Sequence, residues 1–239
     1  MSTGKSVAGV DGWRGKWVIA TRTEGCGGVR WAIAGSAAEV VELTRRCAAV
    51  AVDVPMGLSA GPAGRACDAL ARKLLPGAAS SVFPAPLRPT LTGTTHADAV
   101  RLAREIGGGA PSIQAWNITP GIRDWDDVLA AEPALQRRIV EAHPEVSFRA
   151  LRRNDALGPD ERWARKSTAR GAGQRIAALR PFVDGAEALR TVPDGPGLDD
   201  ALDALACAWT AQRWAAGIAR TLPDEPPRDN RGLSVRIVV

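Results

Sequence analysis

Short apolar runs broken by glycine open the chain and set its architecture. Val7-Ala8-Gly9-Val10-Asp11 has the character of a buried strand, and Gly12-Trp13-Arg14-Gly15 follows as a turn. Lys16–Thr23 alternates as a second strand, Gly25–Gly28 turns again, and Val29–Ala34 reads as a third. Ser36 with Glu39 three residues later predicts a capped helix running to about Arg46. The continuous apolar run Ala48–Val54 is a fourth strand. Arg137–His143 is a fifth, and Pro144 is placed to open the helix after it. Further helices are predicted over Arg65–Leu75, Asp98–Ile106, Gly173–Phe182 and Leu198–Thr221. In the last of these Leu198, Leu202, Leu205, Trp209 and Ile218 share an apolar side. Gly232–Val239 reads as a short closing strand.

Three sequential strands with tight turns form an antiparallel meander. A helix before the fourth strand makes that strand parallel to the first, by a right-handed crossover. The expected fold is therefore α/β: a ribonuclease H-like mixed five-stranded sheet flanked by helices. Residues 1–239 read as one domain, with a helical and loop insertion after the fourth strand at about 57–133, where Gly and Pro are frequent.

Acidic residues at the ends of apolar runs change this from a fold to a candidate site. Asp11 and Asp53 each close a strand, and Asp199-Asp200-Ala201-Leu202-Asp203 opens the longest helix. A carboxylate at the end of a buried strand is costly unless paired or bound to a metal. Asp oxygens suit hard divalent ions, so Asp11, Asp53 and Asp203 are the expected ligands for Mg²⁺ or Mn²⁺, with two ions in one site. Asp200 is their helper, since a spacing of three puts it on the face of Asp203. Plainer roles exist for each. Asp-Gly is a common turn former, a strand-end Asp can cap a helix, and first-turn acids are stabilised by the helix dipole.

Glu145, in the first turn after Pro144, is a further catalytic candidate, with His143 beside it as a substrate contact. A first-turn acid and a core histidine are the bland alternatives, and Glu141 reads as an exposed strand residue. Lys166, Arg170 and Arg175 form a basic stretch that fits phosphate binding or a solvated face. Trp13 and Arg14 in the first turn, and Gln114 in Ser112-Ile113-Gln114-Ala115-Trp116, complete the substrate-binding candidates. Most of the eight tryptophans are simply structural.

Composition permits this chemistry without demanding it. The 239 residues carry a net charge of +5, largely through Arg, which suits phosphate partners. Cys26, Cys47, Cys67 and Cys207 show neither metal-knuckle nor redox-pair spacing, which favours buried thiols in a reducing compartment. No signal-peptide pattern is visible and no apolar run approaches a membrane span. The expected location is cytoplasmic, with no membrane partner, and the oligomeric state is open.

The same segments carry a family resemblance. Gly9-Val10-Asp11-Gly12-Trp13-Arg14-Gly15-Lys16-Trp17, Val52-Asp53-Val54-Pro55-Met56-Gly57 and Ser80-Ser81-Val82-Phe83-Pro84-Ala85-Pro86 resemble the family grouped as domain of unknown function 429. So do Gln114-Ala115-Trp116-Asn117-Ile118, Glu141-Ala142-His143-Pro144-Glu145-Val146-Ser147-Phe148 and Asp199-Asp200-Ala201-Leu202-Asp203-Ala204-Leu205. The resemblance implies a nuclease of ribonuclease H-like fold. Asp200-Ala201-Leu202-Asp203 is also similar to the His-x-x-Asp of Holliday-junction resolvases, with Asp in place of the His. The leading expectation is a metal-dependent phosphodiesterase acting on a nucleic-acid strand or a small phosphoester. The alternatives are a non-catalytic ligand- or nucleic-acid-binding module on the same fold, and an actin-like phosphotransferase, for which the chain is short.

Overall fold

Strand β1, Ser6–Trp13, lies at the centre of a mixed sheet. The computed structural model describes residues 4–25, 27–152 and 163–239. β2 (Lys16–Thr23) and β3 (Val29–Ala34) follow as an antiparallel meander. Helix α1 (Ala37–Leu43) leads to β4 (Cys47–Val52), which pairs parallel with β1. Next come α2 (Ala66–Leu74), α3 (His96–Glu105), α4 (Ile113–Asn117) and α5 (Thr119–Ala131). β5 (Ile139–Glu141) adds parallel to β4, giving the order β3-β2-β1-β4-β5, which is the ribonuclease H-like arrangement. Helices α6 (Pro144–Arg152), α7 (Ala169–Leu179), α8 (Gly185–Leu189) and α9 (Leu198–Ala215) follow. β6 (Thr221–Leu222) and β7 (Ile237–Val238) then form a separate two-stranded ribbon.

The sheet is buried on both faces, and strand alternation sorts its side chains. Ala8, Val10, Ile19, Val50, Val52 and Ile139 point to one face, packed under Val40 of α1 and Ile122, Trp125 and Leu129 of α5. Val7, Ala49, Ala51 and Val140 point to the other, against Cys207 and Ala211 of α9. Helix α9 is buried around most of its girth, because α6 and α7 cover its outer side. Its abundance of alanine lets it press close to the strands. At Gly9 the approach is closest. A Cβ there would stand 2.0 Å from both Ala204 O and Ala208 N.

Several boundaries differ from the sequence expectation. β1 runs on to Trp13, and the hairpin turns on Arg14 and Gly15 alone, both at positive φ. Asp11 therefore sits within the ladder opposite Val18 and does not form the turn. Helix α5 lies inside the stretch read as irregular insertion. Its apolar residues face the sheet, but Pro120 and Gly121 in its first turn hide the signal. α7 begins at Ala169, capped by Thr168, rather than at Gly173. α9 ends at Ala215, and Gly217 at φ 69° turns the chain away, so Ile218 is exposed instead of apolar-face. The closing strand shrinks to Ile237–Val238. Glu141, expected exposed, is buried. Cys47, Cys67 and Cys207 are buried free thiols, and Cys26 lies outside the described residues. No helix among the described residues is long and apolar enough to cross a membrane.

Candidate metal centre

Register and alternation bring the first two acids together. Val10 pairs with Val52, and the Asp53 N–H donates to Val10 O at 2.9 Å, so position 53 lies beside Asp11 on the neighbouring strand. Asp11 shares its face of β1 with Gly9, on which α9 rests. Ala204 and Ala208 lie over Gly9, so Asp203, just before Ala204, overhangs the carboxyl edge where Asp11 and Asp53 end. One carboxylate oxygen from each of Asp11, Asp53 and Asp203 lies within 4.8 Å of the others. Asp11 and Asp203 are buried and Asp53 half-buried.

Three acids this close are strained electrostatically. Burial, then Asp203 and Asp53, push the Asp11 carboxyl well above its usual range. Burial likewise raises Asp53, against the pull of His143 and Lys166. Asp203 is pushed up to about 7 by burial, although Lys166 draws it down. The Lys166 Nζ donates to Asp203 Oδ2 at 2.6 Å, while Asp203 Oδ1 is buried with no hydrogen-bond partner among the described residues. An orphaned buried carboxylate oxygen on a residue clustered with two more acids is what a hard cation satisfies. The donor set fits a divalent ion held by oxygen.

The surrounding cleft encloses about 260 Å³ and is lined by Asp200, His143, Lys166, Phe83 and Ile118 among others. Asp200 is engaged locally: its Oδ2 accepts from the Gly197 N–H at 2.7 Å, capping α9. His143 Nε2 lies 3.2 Å from Ser81 O, a donor's position, which leaves Nδ1 buried and unpartnered.

The remaining sequence candidates lie outside the cleft lining, although Glu145 is near enough to raise Asp53 and Asp203. Arg175 is buried, not presented to solvent. Its Nη2 donates to Glu145 Oε1 at 2.6 Å, its Nη1 donates to Ala164 O and Gly171 O, and its guanidinium lies 5.2 Å from the Trp163 ring. It clasps α7 to α6, and Glu145 is the other half of that clasp. Arg170 is exposed on the first turn of α7. Gln114 is exposed on α4, outside the cleft lining, although its neighbour Ile118 reaches the cleft. Trp13 is half-buried at the tip of the first hairpin, close against Gly195, and exposed Arg14 lies over its ring at 5.8 Å. Neither lines the cleft.

One group escaped the sequence reading. Arg65 Nη1 and Nη2 donate to Glu141 Oε2 and Oε1, each at 2.7 Å, and its Nε donates to Asp68 Oδ1 at 3.2 Å. The Met56 N–H donates to Glu141 at 2.7 Å, and the Ala85 N–H to Asp68 at 3.0 Å. This buried triad ties the loops after Asp53 and before Ala85 to β5, and so forms the cleft floor. The one signal sequence offers is Arg65 and Asp68 at i and i+3; Glu141 is 76 residues from Arg65. Arg65→Met would leave two buried acids uncompensated. The expected loss is about 3–5 kcal/mol, read as a shift in urea midpoint. A loss under about 1 kcal/mol, the surface-pair range, would show that the triad does not brace the floor.

Fold and site together define an α/β protein of ribonuclease H-like topology with a buried carboxylate centre at the carboxyl edge of its parallel strands. The chain belongs to the family described as protein of unknown function (DUF429), whose model matches residues 9–228. No curated protein and no solved structure matches it.

Proposed function

We propose that the protein is a metal-dependent phosphodiesterase, and that its substrate is a nucleic-acid strand or a small phosphodiester. The observation that carries this reading is the convergence of Asp11, Asp53 and Asp203, with Asp203 Oδ1 lacking any partner among the described residues. These three residues would hold Mg²⁺ or Mn²⁺. When bound, such ions supply an activated water and charge stabilisation at a phosphoryl group, two ions acting as a pair.

The chain's own residues supply the rest. Lys166 neutralises part of the cluster now and stands at the cleft wall, where its ammonium meets a phosphate oxygen once Asp203 is otherwise engaged. His143 offers a bare Nδ1 as a proton acceptor. Phe83 and Ile118, exposed at the cleft rim, give an apolar rest for a base or an ester group. Asp200 keeps the first turn of α9 in place.

The test is a panel of single-stranded DNA, RNA and a chromogenic phosphodiester with Mn²⁺ and Mg²⁺, run beside Asp53→Asn. Turnover that needs the metal and falls at least about a hundredfold in Asp53→Asn is expected, as for loss of one transition-state charge interaction. Equal turnover by both proteins, or none on any substrate, sinks the reading.

A second reading rests on Lys166. An ammonium already on Asp203 balances part of the cluster's charge, which suits a binding module that works without turnover. Metal binding with no hydrolysis would favour it.

A further inference from the structure

We propose a second binding site, remote from the carboxylate centre, that takes the phosphate group of a small phosphate ester. It is the groove between the turn Pro133–Arg137, the C-terminal end of α9 and residues 228–236. Arg137 precedes β5, so the groove lies toward the amino edge of the sheet. Trp214 stands 11 residues after Asp203 on α9, about 16 Å along its axis.

The groove encloses about 510 Å³, enough for more than a bare phosphate. Among the described residues its lining contains Arg137, Arg228 and Arg236 and no carboxylate. None of the three makes an ion pair among the described residues. Buried Arg65 and Arg175 and largely buried Arg88 are each matched to an acid: Arg65 to Glu141, Arg88 to Asp126, Arg175 to Glu145.

The groove is also built rather than merely basic. Arg228 Nη1 donates to Gln136 Oε1 at 3.2 Å, and Arg236 Nη2 to Gln136 O at 3.2 Å, so two guanidiniums converge on one residue. Arg236 is half-buried, 4.5 Å from the Trp214 ring centroid. That indole is pinned in turn, its Nε1 donating to Arg137 O at 2.9 Å. Burial, and then repulsion from Arg228, hold Arg236 below its ordinary range. Two like charges brought together without a counter-ion cost free energy that a bridging dianion returns. Forks approaching from separate segments match the several oxygens of a phosphate better than the two coplanar oxygens of a carboxylate.

The site stands independently of the metal reading. Calorimetric titration of the full chain with pyrophosphate and with ribose 5-phosphate tests it, using Arg228→Gln, Arg236→Gln, Asp53→Asn and Arg104→Gln. Arg104 is an exposed arginine on α3 that controls for net charge. Saturable binding is expected, weakened about tenfold or more by either groove substitution, as for one lost charge-assisted contact. Asp53→Asn and Arg104→Gln should bind as the parent does. If Arg236→Gln fails to fold for want of its stacked guanidinium, exposed Arg228→Gln carries the test. Absence of saturable binding at millimolar pyrophosphate and ribose 5-phosphate, equal weakening by Arg104→Gln, or binding of a nucleic-acid strand in a parallel titration but of neither compound would each overturn the proposal.

Discussion

Gly9→Ala is expected to abolish the carboxylate centre and to destabilise the protein by about 4 kcal/mol or more, in the range reserved for severe core lesions. The added methyl would meet Ala204 O and Ala208 N at 2.0 Å, far inside contact distance. Both are main-chain atoms of α9, so no side-chain rotation relieves the overlap, and the helix itself must move. Asp203 rides on the same turn as Ala204, so any displacement carries it away from Asp11 and Asp53. Two readings therefore fall together: the urea midpoint, and the rise in melting temperature on adding Mn²⁺. A Gly9→Ala variant with parental midpoint and parental Mn²⁺ response would show that α9 does not set the geometry of the site.

Asp11→Asn should do the reverse to the metal-free protein: stabilise it by several degrees at neutral pH while removing its response to metal. The sign follows from the direction of the shifts. Burial and repulsion from Asp203 and Asp53 raise Asp11, and burial raises Asp53 and lifts Asp203 to about 7, so the metal-free fold prefers these groups protonated. Their stabilising contribution is whole below about pH 4, the unfolded value, and is lost as pH rises through the raised folded values, about 7 for Asp203. An amide at position 11 removes one charge from that repulsion. The melting temperatures of the Asp11→Asn variant and the parent should therefore nearly coincide near pH 4 and separate progressively toward pH 8. Metal acts in the opposite sense on the parent, adding about 2.7 kcal/mol at a hundredfold excess over Kd, or about 5–10 °C for a chain of this size. The Asp11→Asn variant should lose most of that rise. A variant less stable than the parent in metal-free buffer at pH 8 would count against the clustered-charge account.

The same electrostatics bear on the basic stretch. Lys166 reaches the acids, but Arg175 is consumed by Glu145 inside the protein. Arg175→Ala would therefore break a buried pair, and lost nucleic-acid binding by that variant would report misfolding. Lys166→Met is the cleaner probe, because its side chain is 44% exposed.

Features legible in the sequence alone are local or periodic. Apolar runs between turn residues, alternating in β2 and continuous in β4, marked β1 to β4, the helix before β4 made it parallel to β1, and Pro144 opened α6. Asp11, Asp53 and Asp203 stood out because an acid at the end of an apolar run, or a turn inside a helix, breaks the pattern that surrounds it. Whatever depends on partners far along the chain waited for the packed fold. Glu141 looked like an exposed strand residue until Arg65 came to meet it, and Arg175 looked like a surface cation until Glu145 and Trp163 enclosed it. The turn of β1 moved past Asp11 because Gly12 and Trp13 pair with Trp17 and Lys16 of β2, which leaves Arg14 and Gly15 as the two turn residues at positive φ. A charged side chain carries no sign in sequence of whether it will be solvated or paired. That is settled by desolvation and the partner's position, and both arise only when distant segments pack.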